Sequence, residues 1–294
     1  MNGIKLNIGP SPIWQKEGWH TLDHKPLEQK EIAIHGDASN IPLDPESCST
    51  VFMGHVIEHI PHFRLEDILL EINRVLKKDG ILRILSPDLY TIAKAYVEKD
   101  MAFFKKAIEE DENIRTDLGI GGSFMNFVVS PGQDTALFNR QLTEFIAGYA
   151  HLYLYDFEML KILLERCGFY NVTRKGFCES DVADYREPLH VVGLEPKWQD
   201  LNQEFYKKHN LIHKYDDAEG RYIINFKITG FDRDPLTSLI VEAKKHVNVN
   251  KNEFKRAYQD RNYGKSLLHD KSFSLKCNLI KAISSNVDSS QMVM

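Results

Sequence analysis

Residues 36–90, GDASNIPLDPESCSTVFMGHVIEHIPHFRLEDILLEINRVLKKDGILRILSPDLY, restrict the fold of this chain more than any other part of it. Two apolar segments, 51–53 and 81–85, flank a stretch with helical periodicity that ends in Lys77-Lys78-Asp79-Gly80. A strand–helix–strand unit of this length is what a right-handed parallel crossover requires. Polar residues stand where each strand ends: Gly54-His55 after the first and Ser86-Pro87-Asp88 after the second. Ligands of open α/β sheets bind at those carboxyl ends, so the pattern marks a candidate site as well as a fold class.

The helix of this unit is read from Leu65, Ile68, Leu69, Ile72, Val75 and Leu76, which recur at spacings of three and four and form one apolar stripe. Glu66, Asp67 and Glu71 precede Arg74, Lys77 and Lys78, the order that the helix dipole favours, and Gly80 is the expected C-terminal cap. Upstream, residues 4–8, 19–22 and 31–34 read as three short strands. Downstream, residues 89–108 read as one helix with Asp88 as its N-cap, and residues 111–135 as a loop or lid centred on GIGGSF. A helix is expected over 136–150, another over 157–167 between Asp156 and Gly168, and a strand over 171–175. Two similar phrases, REPLHVVGLEPK at 186–197 and RDPLTSLIVEAKKH at 233–246, suggest a partial internal duplication. The expected organisation is a domain over 1–246 with an insertion at about 198–232, followed by a polar, mildly basic tail or helical appendage over 247–294.

The 294 residues, 43% of them hydrophobic, can bury a substantial core without covalent help. Cys48, Cys167, Cys178 and Cys277 form no C-x-x-C pair, so neither a disulfide framework nor a metal site is expected, and a reducing cytoplasm fits best. No apolar run approaches the ~20 residues that cross a bilayer, and MNGIKLNIGP lacks the pattern of a secretory signal. The net charge of −5 supplies no global attraction to nucleic acid or to an acidic membrane.

Four successive strands end in Gly9-Pro10-Ser11, Asp23, Asp37 and Gly54-His55. A nucleoside requires such a set: a glycine turn that the ligand can approach, one carboxylate for the ribose hydroxyls and another for the adenine amino group.

The phrases KLNIGPS, GWHTLD, GDASNIPLDPES, MGHVIEHI, EINRVLKKDGILRILSPDL, HLYLYDFEMLKILLERCGF and SLIVEAKK resemble the class I S-adenosylmethionine-dependent methyltransferases. The resemblance is to the branch of small methyltransferases with an "HVLEH" phrase after the fourth strand, and it covers residues 4–175 and 233–246. It implies an α/β fold: a Rossmann-like, seven-stranded, mostly parallel sheet with helices on both faces, here with a C-terminal appendage. It also implies S-adenosylmethionine as cofactor, with Gly9 and Ser11 in the loop facing its methionine part. Asp23 is then the ribose acid, Asp37 with Ala38 the adenine side, and His55 lies against the cofactor at the end of the fourth strand. Two positions depart from the family pattern. Ser11 replaces the second glycine of G-x-G, and Cys48-Ser49-Thr50 stands where an Asp is common.

Several of these residues also have a plainer reading. Gly9-Pro10 would serve as a strand-ending turn, and Asp23 and Asp37 as turn residues. Glu58 and His59 suit either acid–base chemistry or bracing of the next loop, and His151 with Tyr153 and Tyr155 suits either a substrate pocket or aromatic packing. For a hydroxyl acceptor, His59 and His151 are the candidate bases. No Asn-Pro-Pro-Tyr or Asp-Pro-Pro-Tyr phrase follows the fourth strand, so nucleic-acid bases are disfavoured as acceptors, and the resemblance points instead to a small molecule or glycan precursor, methylated at oxygen. The competing expectation is a methyltransferase-like binding or scaffold protein without catalysis. A nicotinamide-dependent oxidoreductase ranks last, because G-x-G-x-x-G with an acid about 20 residues on is missing.

Overall fold

The structure is a computed structural model and describes residues 3–10, 14, 16–24, 32–108, 118–129, 150–187, 212–216, 221–224, 230–232 and 236–249. Seven strands form one sheet: β1 (Ile4–Ile8), β2 (Trp19–Asp23), β3 (Ala33–His35), β4 (Cys48–Gly54), β5 (Leu76–Pro87), β6 (Phe169–Arg174) and β9 (Ser238–Lys245). Between the last two in the chain, β7 (Ile212–Asp216) and β8 (Arg221–Ile224) form a separate antiparallel hairpin. The order across the large sheet is β3-β2-β1-β4-β5-β9-β6. The pairs from β3 to β5 are parallel, and β9 runs antiparallel to both β5 and β6. This is the mostly parallel, doubly wound sheet expected from the sequence.

Strand order reverses between β1 and β4, so the chain leaves those two strands in opposite directions and opens a crevice at their carboxyl ends. On one face of the sheet lies helix α1 (His62–Val75), with Leu65, Leu69, Ile72 and Val75 inaccessible to solvent. The stripe read from the sequence is therefore the buried face. The opposite face carries an aromatic cluster of Trp14, Trp19, Phe52, Tyr185 and Phe231 with Leu85 and Ile240. The Trp14 indole N–H donates to the Gly230 carbonyl at 2.6 Å, and that of Trp19 to Asp184 Oδ2 at 2.9 Å, so neither ring is buried with an unmet donor.

Arg83 projects from β5 into this aromatic face, fully buried and 5.4 Å from the Tyr185 ring. Its guanidinium pairs with Asp232 through Nε at 3.0 Å and through a second, shorter contact, with Glu242 at 2.6 Å, and donates to the Glu179 carbonyl at 3.1 Å. Asp232 also accepts from the Cys178 N–H at 2.8 Å. A charge can be buried here because its planar fork is met on each side by an acceptor. Phe231 and Asp232, at the end of the stretch read as an insertion, thus belong to the core of the sheet.

Three expectations are corrected. Helix α1 stops at Val75, and Leu76 already has extended geometry and opens β5, so Lys77 and Lys78 lie in the strand and Gly80 caps nothing. Along β4, Cys48 pairs with Leu76 but Thr50 with Ile81, and the extra β5 residues form an irregularity in which Asp79 takes a φ of 61°. Residues 89–108 are two helices, α2 (Leu89–Val97) and α3 (Met101–Ile108). Lys99 turns left-handed (φ 56°) and Asp100 Oδ1 accepts from the Phe103 N–H at 2.9 Å, which restarts the helix. The GIGGSF stretch is helical, within α4 (Gly119–Val129). Ile120, Phe124 and Phe127 share one helical face and pack on Ile92, Ala95, Phe103, Phe104 and Leu154, burial that outweighs the ~1 kcal/mol each interior glycine costs.

The expected helix N-caps and the glycine stop hold. Asp88 and Asp156 cap α2 and α5 (Phe157–Arg166), accepting from the N–H of Tyr90 and Met159, and Gly168 follows α5 with a φ of 86°. The expected helix over 136–150 lies outside the described residues apart from Ala150, which is in a bend; most of the first repeated phrase and residues 250–294 also lie outside them. Among the described residues, no helix is long and apolar enough to cross a membrane.

Candidate functional site

Gly9, Asp23, Asp37, Ala38, His55 and His59 line a single cavity of about 510 Å³ at the carboxyl ends of β1–β4. Five of the eight residues singled out from the sequence as cofactor or catalytic groups reach it through the end of a strand, and His59 reaches it from the short 3₁₀ turn Ile57–His59. Ser11 lies outside the described residues. His151 is not on the cavity wall but stands behind it, its ring 5.1 Å from that of His59. Apolar contact comes from Ile8, Leu22, Val56, Ile60, Pro61 and Ile68.

Gly9 is required by the backbone. Its φ is +66°, and a Cβ there would sit 2.6 Å from Val56 Cγ2. The tight turn is held by its N–H, which donates to the Leu22 carbonyl at 2.9 Å and ties the end of β1 to β2. At the end of β2, Asp23 is mostly buried and its Oδ1 lies 3.3 Å from His24 Nδ1. Asp37 begins the turn after β3. Its Oδ1 accepts from the Ser39 N–H at 2.8 Å and its Oδ2 from Arg64 at 2.9 Å. The Ser39 N–H, and after it Arg64, hold the Asp37 carboxyl down at about 2 despite partial burial. A carboxylate has about four acceptor positions, so this one retains capacity for a ligand amino group.

His55, directly after β4, has a φ of 54°, a conformation uncommon outside glycine. Its Nε2 lies 2.9 Å from Ser238 Oγ and its Nδ1 3.2 Å from Glu58 Oε1. Glu58 is completely buried. Burial alone would raise its pKa, but His55, then the positive fields of His59 and His151, bring it below the usual carboxylate range. The Glu58 carbonyl accepts from the Leu152 N–H at 2.7 Å, which docks the 150–155 segment and sets His151 beside His59. His59 Nδ1 donates to the Ala150 carbonyl at 3.1 Å and His151 Nδ1 to the Phe127 carbonyl at 2.8 Å. Burial pushes the His151 pKa down, more than the nearby Glu58 charge restores.

Arg64 carries no signal in the sequence, and Glu58 carries only part of one. Arg64 faces outward from the start of α1, and nothing in its spacing marks it as the partner of Asp37. Glu58 was weighed only as half of a Glu-His pair; its junction with His151, 93 positions away by number, has no local signal.

Residues 15–84 match the family model described as a methyltransferase domain, a span that holds Asp23, Asp37, Ala38, His55 and His59. No curated protein matches the chain. Among solved structures, a SAM-dependent methyltransferase from Archaeoglobus fulgidus is similar at 15% identity and a TM-score of 0.39, over 83% of this chain and 86% of that one. A SAM-dependent methyltransferase from Thermotoga maritima, described as a possible histamine N-methyltransferase, is similar at 13% identity and a TM-score of 0.36, over 83% of each chain. A phosphoethanolamine N-methyltransferase 2 from Haemonchus contortus, with S-adenosyl-L-methionine bound, shares 13% identity at a TM-score of 0.36, over 84% of this chain and 49% of that one.

Proposed function

We propose that the chain is an S-adenosylmethionine-dependent methyltransferase that transfers the methyl group to an oxygen of a small molecule or glycan precursor. The observation that carries this reading is the convergence of Gly9, Asp23, Asp37, Ala38 and His55 on one cavity at the point where strand order reverses. Asp23 accepts from the ribose hydroxyls, Asp37 and Ala38 receive the adenine, and the Gly9 turn with Ser11 accommodates the methionine part. His55 borders the cofactor from the end of β4.

The cofactor supplies a methyl group already activated on a sulfonium. The protein's task is to align an acceptor and take its proton. In the transfer, the methyl carbon–sulfur bond breaks as the carbon–oxygen bond forms, S-adenosylhomocysteine leaves as a neutral thioether, and the hydroxyl proton passes to a base. His59 lines the cavity and, with Nδ1–H committed to the Ala150 carbonyl, holds its lone pair on Nε2 for that proton. His151 stands next in line.

Calorimetric titration with S-adenosylhomocysteine tests the cofactor assignment. Saturable heat is expected from the wild type, with affinity lowered more than tenfold in Asp23→Ala, since a hydrogen bond to a charged group contributes about 1.5–3 kcal/mol. A folded wild-type sample that gives no heat would favour the scaffold reading instead. Loss of transfer to hydroxyl acceptors in His59→Ala, with S-adenosylhomocysteine affinity retained, tests the base.

A further inference from the structure

His59 on the cavity wall and Glu58 and His151 behind it bring one carboxylate and two imidazoles together, their ligand-capable atoms all within 4.8 Å of one another. Each offers a ligand-capable atom. A carbonyl oxygen only accepts, so the contacts of His59 and His151 to Ala150 and Phe127 place a proton on each Nδ1, and in the neutral imidazole the lone pair is then on Nε2. The third member is a carboxylate with no exposed surface, and neither of its oxygens has a well-aligned hydrogen bond among the described residues. His55 Nδ1 approaches Oε1 from one side at 3.2 Å and leaves the other oxygen without a donor. One carboxylate and two imidazoles converging at this distance form an arrangement that a cation completes.

We propose that Glu58, His59 and His151 bind a divalent transition-metal ion of the zinc class. Two imidazole nitrogens and one carboxylate, with a position left for a further ligand, are a donor set that such ions accept. Metal–ligand bonds of about 2.0–2.1 Å put tetrahedral donors roughly 3.4 Å apart, so binding draws atoms that lie within 4.8 Å of one another inward by up to about 1.4 Å. His59 is the least buried of the three. The supporting shell is in place: backbone carbonyls fix the tautomers of His59 and His151, while His55, itself against Ser238, orients the carboxylate. The site does not depend on the reaction assigned above. Only its use rests on that reading: an ion on the cavity wall would polarise an acceptor hydroxyl, taking over the task of the His59 lone pair.

The test is titration of the full-length, chelator-treated protein with Co²⁺ and Zn²⁺ alone, without cofactor or acceptor. One equivalent of Co²⁺ is expected to give visible ligand-field absorption that one equivalent of Zn²⁺ removes. Affinity is expected to fall at least tenfold in Glu58→Gln and in His151→Ala, and to persist in His62→Ala, which alters a ring stacked on Tyr153 outside the set. In case a variant does not fold, ¹⁵N spectra of wild-type imidazoles provide the second readout, with the Nε2 signals of His59 and His151 moving on Zn²⁺ addition. A folded wild type without the absorption, an absorption kept by both ligand variants, or unmoved Nε2 signals would overturn the proposal. None of these readouts requires cofactor binding or turnover, so failure of the site and failure of the methyltransferase reading are separate results.

Discussion

Gly9 and Asp37 carry the most direct consequences of single residues. A methyl group at position 9 would meet Val56 at 2.6 Å while the backbone stays at φ +66°, so either the turn or Val56 must shift, and both border the cavity. Gly9→Ala is expected to weaken S-adenosylhomocysteine binding about tenfold or more, read by calorimetry, with a lowered melting temperature. Asp37 is held at about 2 in the folded chain against an ordinary 3.8. Its folded pKa is depressed, so its contribution is present above about pH 4 and fades as pH falls toward 2. Asp37 and Arg64 are both about half exposed (54% and 45%), which limits the effect to under about 1 kcal/mol. Urea denaturation should therefore find Asp37→Asn less stable than wild type at neutral pH and equal to it near pH 2; a constant gap would show that the carboxylate charge is not the cause. These strand-end residues were legible because each ends an apolar run with a polar or glycine residue. Arg64 as the partner of Asp37 and the Glu58–His151 junction were not, because only folding places them.

At the scale of elements, what could be read followed the competition between local preference and burial. The α1 stripe, the Asp88 and Asp156 caps and the Gly168 stop are local signals, and the structure keeps them. Glycines in α4 argued for a loop, yet Ile120, Phe124 and Phe127 have a helical spacing that a hydrophobic neighbourhood can use. Gly80 argued for a cap, but pairing of Leu76 with Cys48 draws the chain into the sheet four residues sooner. Arg83 was hidden for the same reason: in sequence it is a charge within an apolar strand, and its partners Asp232 and Glu242 are 149 and 159 residues away. Removing one partner leaves a buried cation short of compensation. Asp232→Ala is expected to cost about 3–5 kcal/mol in thermal or urea unfolding, whereas Arg83→Met with Asp232→Leu should recover much of it. Equal losses in the single and double variants would mean that the pair is not the source.

For the whole molecule, the sheet depends on its last strand. β9 lies between β5 and β6, pairing Ile84 with Val241 and Thr173 with Glu242, so without it β6 has no place in the sheet. A chain ending at residue 229 would lack Phe231, Asp232 and β9, and is expected to show no cooperative thermal transition by circular dichroism. A transition like that of the full chain would show that the first five strands suffice. The same placement sets a timetable for synthesis. At roughly 5–20 residues per second, the 149 residues that separate Arg83 from Asp232 take about 7–30 s to translate. For that interval the nascent chain presents an open β5 edge and an unpaired guanidinium within apolar surface, the kind of surface that invites strand addition from another chain. Slower translation therefore lengthens the time for which this edge stays open.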